Sequence, residues 1–170
     1  MTTTEYRVAV MEHKDRVHSY ARHILRDDDE AQDVAEECLV RLWRGRDRVE
    51  PGPGCRNWLL RTTHNLCIDR IRRRAARPEV RRDDGAPDPR DHRPDPHRLA
   101  HAAQAGRALE RALLELCERD RAIVLLREVE GLPYDEIAEM LGLSLGTLKS
   151  TLHRTRERLR AALVRVEVTP

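Results

Sequence analysis

Apolar residues recur along this chain at helical spacing rather than strand spacing. The clearest run is Ala31, Val34, Ala35, Cys38, Leu39, Leu42 and Trp43, at offsets of three, four, seven, eight, eleven and twelve residues, which lines one helix face. Asp33, Glu36 and Glu37 occupy the opposite face, and the acids crowd toward the helix start, where the macrodipole favours them. An earlier helix is predicted from about Tyr6 to Leu25. After Trp43 the pattern breaks in a loop, Arg46 to Arg56, that contains Pro51-Gly52-Pro53-Gly54. Another helix is predicted from near Asn57, with Leu60, Cys67 and Ile71 as its apolar stripe and Leu66 beside it. A second line on that helix runs Trp58, Arg61, Asn65, Asp69, Arg72, aromatic at one end, polar thereafter, and continued by Arg70, Arg73 and Arg74. It offers a ring to stack or pack, hydrogen-bonding groups for base edges and cations for phosphates. Trp58 is expected to be partly core.

The second half of the chain predicts four more helices, roughly Gly106 to Cys117, Arg119 to Val129, Pro133 to Leu141 and Leu145 to Leu163. Gly142 reads as the glycine that ends the third, and Ser144 as the cap of the fourth. Ile137, Ala138 and Leu141 face inward on the short helix, and Leu148, Leu152, Thr155, Leu159 and Leu163 form the packing stripe of the long one. Two helices joined through Leu141-Gly142-Leu143-Ser144 make a helix-turn-helix pattern. The exposed side of its second helix carries Gly146, Ser150, His153, Arg154 and Glu157, flanked by Lys149, Arg156 and Arg160. The N-terminal half of such a helix enters the major groove, so Lys149, Ser150, His153, Arg154 and, more distally, Arg156 are candidates for base or phosphate contact.

Between the two helical blocks, Asp83 to Pro96 holds Pro87, Pro89, Pro94 and Pro96, Gly85 and five Asp, which cannot continue a helix and has little to bury. The expected organisation is therefore all-α: an N-terminal helical bundle, 1–76, a Pro/Asp-rich linker, 77–105, and a C-terminal four-helix domain with the helix-turn-helix, 106–170.

Composition agrees with that. Charged residues make up 36% and aromatics 3%, with no Phe, which leaves too few large apolar side chains for a thick sandwich or α/β core. The net charge is only +2, yet it is unevenly spread. Asp27 to Glu37 holds seven acids and no base, Arg56 to Arg82 nine Arg against Asp69 and Glu79, and Ser144 to Arg160 five bases against Glu157. One acidic and two basic stretches suit a protein that meets both a basic protein surface and nucleic acid, although solvated helix faces give such runs too.

The four cysteines form no CxxC pair and no zinc or disulfide framework, and Cys38, Cys67 and Cys117 fall on apolar stripes as small buried hydrophobes. His64 and Cys67 are a lone pair of potential ligands, and His13, His18 and His23, five apart, spread around a helix rather than converge. No metal, cofactor or catalytic group is expected: no acid/base pair, activated nucleophile or phosphate loop is present. No apolar run spans a membrane and the N-terminus lacks a leader pattern, so a cytoplasmic chain is expected.

Two segments carry a family resemblance. Asp29-Glu30-Ala31-Gln32-Asp33-Val34, Leu42-Trp43, Asn57-Trp58-Leu59, Asn65-Leu66, Asp69 and Arg72-Arg73 resemble the second conserved region of bacterial RNA polymerase sigma factors of the extracytoplasmic-function (ECF) group. Gly131-Leu132-Pro133-Tyr134-Asp135-Glu136-Ile137-Ala138, Leu141-Gly142, Gly146-Thr147-Leu148-Lys149-Ser150 and Leu152-His153-Arg154 resemble their fourth region. The resemblance implies a non-enzymatic initiation factor that brings core polymerase to promoters and helps open them. It implies that Asp33, Glu36, Glu37, Leu42 and Trp43 dock on core polymerase, on the β′ clamp helices, with the β subunit as a further partner. Trp58, Arg61, Asn65, Asp69, Arg70, Arg72 and Arg73 would bind the −10 element, with the Pro-Gly loop as the specificity loop. Lys149, Ser150, His153, Arg154 and Arg156 would bind the −35 element, the linker would thread the polymerase cleft, and an anti-sigma factor would be a partner. Glu36 stands where relatives carry Gln, Pro133 where they carry a Ser or Thr cap, so that Pro133 should be the first helical residue. Thr151 stands where Arg is common, so one phosphate contact is expected to be missing. The alternative is a helix-turn-helix regulator acting without polymerase, which explains residues 131–160 but neither of the N-terminal helices.

Overall fold

The computed structural model describes residues 1–76 and 106–167, with side chains to residue 164. The predicted linker, 77–105, lies outside the described residues. The chain divides into two units, Met1–Pro87 and Asp88–Pro170, each with its own core. Among the described residues there is helix and no strand.

The first unit packs α1 (Thr3–Leu25), α2 (Asp28–Gly45) and α3 (Pro53–Ala76) mutually, each touching the other two. α1 starts earlier than periodicity predicts because Thr2 and Glu5 form a reciprocal capping box: Glu5 N–H donates to the Thr2 hydroxyl, and Thr2 N–H to the Glu5 carboxylate. It ends at Arg26, held in the left-handed region at φ 59°, and Asp27 at once caps α2 by accepting from Glu30 N–H. The core is assembled from small residues that let helices approach (Ala21, Ala31, Ala35, Cys38, Cys55) and from Leu42, Leu59 and Leu60, all essentially inaccessible. Burying each of those leucines contributes about 2–3 kcal/mol, which is how a bundle without Phe is held.

The loop predicted from Arg46 to Arg56 is shorter than expected. Arg46–Arg48 form a 3₁₀ turn, Val49 is buried, and α3 begins at Pro53, not near Asn57. Proline suits a first helical position because it has no N–H to leave unpaired, and Gly52, at φ 84°, supplies the turn into it while its carbonyl accepts from Arg56 N–H. Only residues 49–52 remain outside helix.

The second unit comprises a helical stretch, α4 (106–114), then α5 (Glu118–Val124) running into a π turn (Leu125–Val129), α6 (Tyr134–Leu141) and α7 (Leu145–Glu167). Ala112, Leu113, Leu116, Ile123, Leu126, Leu132, Ile137, Leu148 and Leu152 make its core. Arg121 is 3% exposed and fastens the end of α4, donating to the carbonyls of Leu113 at 2.8 Å and Leu116 at 2.7 Å. Cys117 is a correction: it is exposed and precedes α5 rather than belonging to an apolar stripe, since α4 has already ended. Cys38 and Cys67 are buried as expected. Pro133 is also corrected, standing as the N-cap of α6 in extended conformation with Tyr134 as the first helical residue.

Candidate nucleic-acid interface

The expected helix-turn-helix is formed by α6 and α7. Gly142 adopts φ 64°, and Leu143 N–H donates back to Ala138 O at 2.8 Å, the six-to-one bond of a left-handed helix end. Ser144 then accepts from Thr147 N–H at 3.1 Å and caps α7. Leu148, Leu152, Thr155 and Leu159 are buried, with Leu163 half-buried, so the packing stripe is where its spacing puts it. Lys149, Ser150, His153 and Arg154 are exposed on the other side. Thr151 is 1% exposed, and its carbonyl accepts from the Thr155 hydroxyl, so this side chain faces the unit's interior.

Arg156 differs from the other four. At about 100° per residue it lies some 80° from Leu148, on the shoulder beside the packed stripe and two turns beyond Lys149 on the same side, whereas Ser150 and His153 lie about 200° and 140° away; what sets it apart is its partner. There its guanidinium donates twice to one carboxylate oxygen of Glu128, at 2.9 and 2.6 Å.

In the first unit, α3 sorts its residues by the same geometry. Arg61, Asn65, Asp69, Arg72 and Arg73 are exposed and Trp58 is half-buried, while Leu59, Leu60, Thr63, Leu66 and Cys67 face inward. The line from Trp58 to Arg72 is thus one continuous face. Arg70 and Arg74 leave it: they lie about 120° and 160° from Trp58, toward the packed side. Arg70 donates to Asp33 at 3.3 Å, and Arg74 pairs with Asp27 at 3.3 Å and Glu30 at 2.7 Å. Three of the seven acids in Asp27–Glu37 therefore meet arginines of α3. Periodicity on α3 carries that signal, but charge counting treated the two stretches as separate outward patches.

The remaining acids of α2 stay on the surface. Glu36 is exposed and accepts from Gln32, and Glu37 is half-buried and pairs with Arg41 one turn on. Leu42 is fully buried, so any part it has in a docking surface is to hold the helix. Trp43 is 38% exposed and is not in the core stripe; it packs edge-on against Tyr6, with the Arg46 guanidinium 4.2 Å above its ring.

His64 spends its Nδ1 on the Tyr20 hydroxyl at 3.0 Å inside the bundle, and burial pushes its pKa down to about 4. Burial likewise pushes the Cys38 thiol up to about 11, so neither is poised for chemistry near neutral pH. Among the described residues no three His, Cys, Asp or Glu side chains converge as metal ligands, and no helix is long and apolar enough to cross a membrane.

Two family models match the chain: Sigma-70 region 2 over residues 9–77, and Sigma-70, region 4, over residues 106–159. Among characterised proteins, it is 36% identical to the ECF RNA polymerase sigma factor SigE of Mycolicibacterium smegmatis, over 92% of this chain and 60% of SigE. It is 31% identical to the ECF RNA polymerase sigma factor SigM of Mycobacterium tuberculosis, over 86% of this chain and 71% of SigM. The fold resembles that of the sigma factor RpoE in its complex with the anti-sigma factor NepR from Bartonella quintana, with TM-score 0.76, 21% identity, and 99% and 100% of the two chains covered. It also resembles CnrH in complex with the cytosolic domain of CnrY, with TM-score 0.59, 25% identity, and 94% and 88% covered.

Proposed function

The chain belongs to the ECF family of RNA polymerase sigma factors, and from that premise we propose that each unit contributes a distinct part of promoter recognition. The observation that carries the reading is the pair of exposed polar helix faces, on α3 and α7, each inside the matching family region. Residues 1–76 act as region 2, residues 77–105 as the linker and residues 106–170 as region 4.

The N-terminal half of α7 enters the major groove at the −35 element, where Lys149, Ser150, His153 and Arg154 reach base edges and adjacent phosphates. The α3 face meets the non-template strand of the −10 element. Trp58 offers a ring edge for stacking, Asn65 and Asp69 hydrogen-bond to unstacked bases, and Arg61, Arg72 and Arg73 neutralise phosphates. Arg70 joins them when Asp33 is otherwise engaged. Asp33, Glu36 and Glu37, with Trp43 at the far end of α2, form the surface for core polymerase, whose β′ clamp helices supply cations; the β subunit is a second contact. Each base captured on α3 is lost to the closed duplex, so binding shifts the DNA toward the open form. Bond-making stays with the polymerase, and the sigma chain itself is not an enzyme and works in the cytoplasm. A protein that covers these faces would silence the chain, and the complexes of RpoE with NepR and of CnrH with CnrY support an anti-sigma factor as that partner.

The deciding experiment is run-off transcription by purified core polymerase on pooled bacterial promoter fragments, with and without this protein. Initiation at discrete sites that share two spaced elements is the expected result, and Asn65→Ala should then alter −10 use. Tight duplex binding with no initiation would replace this reading with that of a helix-turn-helix regulator.

A further inference from the structure

Four side chains from three elements meet at the back of the helix-turn-helix. Arg156 of α7 holds Glu128 of the π turn through two guanidinium nitrogens, with Tyr134 at the start of α6 close beside the pair. Arg127 lies 4.6 Å over the Tyr134 ring and donates to Leu132 O at 2.8 Å. The guanidinium is thereby tied to the turn that precedes α6, and that turn reaches α6 through Arg127 over the Tyr134 ring. From its sequence position alone, two residues after Arg154, the same side chain looks like one more cation for DNA.

We infer that Arg156 is a positioning residue of the recognition helix, held by Glu128, and that it does not contact promoter phosphate. Its place on α7, two turns beyond Lys149 and tied to the turn by Glu128, lets it set the helix's rotation and tilt without entering the groove. Lys149, Ser150, His153 and Arg154 depend on that setting, because a base contact tolerates little angular error while a phosphate contact tolerates much. Glu128 is then part of −35 specificity although it is an anion beside a DNA-binding surface. The inference rests on the −35 assignment of α7.

The two roles for Arg156 predict opposite signs at Glu128. If Arg156 were a phosphate contact restrained by Glu128, Glu128→Ala would free a cation and remove an anion, and DNA affinity would rise. If it positions α7, Glu128→Ala and Arg156→Ala should fail alike. The test uses holoenzyme reconstituted with core polymerase, and measures binding to a promoter duplex and to the same duplex with a scrambled −35 element, across a salt series. Expected is a loss of −35 discrimination of about tenfold in either variant, as for one good base contact, with no further loss in the double variant. The slope of log affinity against log salt should stay at its wild-type value, since no phosphate contact is removed. Arg156→Lys, which keeps the charge and loses the fork, should behave like Arg156→Ala; it also serves if the alanine variant folds poorly. Tighter binding by Glu128→Ala, retained discrimination in Arg156→Lys, or a slope lowered by about 0.9 in Arg156→Ala would each overturn the inference. Wild-type holoenzyme that ignores the −35 scramble would instead overturn the −35 assignment itself.

Discussion

Replacing Arg121 by alanine should unfold the second unit or bring it to the edge of unfolding. The guanidinium is 3% exposed and donates to the carbonyls of Leu113, Leu116 and, more weakly at 3.4 Å, Leu114. Those carbonyls lie at and just beyond the end of α4, where the helix no longer supplies an i+4 N–H; Leu113 O also accepts from Leu116 N–H at 3.2 Å. A hydrogen bond from a charged donor contributes about 1.5–3 kcal/mol, and each buried carbonyl left unpaired costs about 1–3 kcal/mol. Two good bonds and one long one give a loss on the order of 4 kcal/mol, before the cavity left by the stem is counted. A unit this small has a stability near the lower end of about 5–15 kcal/mol, so most of it would go. Arg121→Lys should recover little, because one ammonium cannot reach both Leu113 and Leu116 as the fork does. The assay is native-state hydrogen exchange of the full chain followed by mass spectrometry, which reports peptides from 106–164 and from 1–76 separately. Protection should fall across the second unit and stay unchanged in the first. Second-unit protection within about 0.5 kcal/mol of wild type, the scatter of an ordinary surface substitution, would refute the assignment of Arg121 as the cap of α4.

Three further outcomes follow from the same geometry. His64 is held neutral by burial with a pKa of about 4 against an ordinary 6.5, so below 6.5 the unfolded chain binds the extra proton. Stability of the first unit is full above pH 6.5 and should fall by about 3 kcal/mol as pH drops toward 4; urea melts at pH 7 and pH 4 should show it, and an equal loss in His64→Gln would discard His64 as the cause. Gly142→Ala has no clash to relieve, since nothing lies within 4 Å of the added carbon, but φ 64° is costly for an L side chain; a loss of about 1 kcal/mol is expected, less for Asn, and an unchanged thermal midpoint would contradict it. Exchanging Asp33 and Arg70 keeps a surface pair worth at most about 1 kcal/mol, so the double variant should melt like wild type yet bind core polymerase several-fold more weakly; unimpaired core binding in a pull-down titration would remove Asp33 from the docking surface.

The helices of this protein, and most of its candidate DNA surface, were written in local spacing. Periodicity on α2, α3 and α7 identified which residues turn inward, because a helix carries its own 3.6-residue geometry wherever it is placed. Gly142 and Ser144 marked the turn between α6 and α7 for the same reason, each acting on backbone groups within a few residues of itself. What spacing could not decide was which charges meet. Asp27, Glu30 and Asp33 read as an outward acidic patch until α3 packed beside α2 and brought Arg70 and Arg74 to them. Arg156 read as a DNA cation until the π turn set Glu128 beside it, and Thr151 gave no local sign that the core closes over it. Arg121, in the middle of an exposed-looking charged run, gave no local sign of being the cap of another helix. Each of these depends on residues distant in sequence or on a neighbouring element's rotation, and an ion pair between elements forms only where tertiary packing brings its two ends within about 4 Å. The single helix determines its faces; only the assembled unit determines what each face finds opposite.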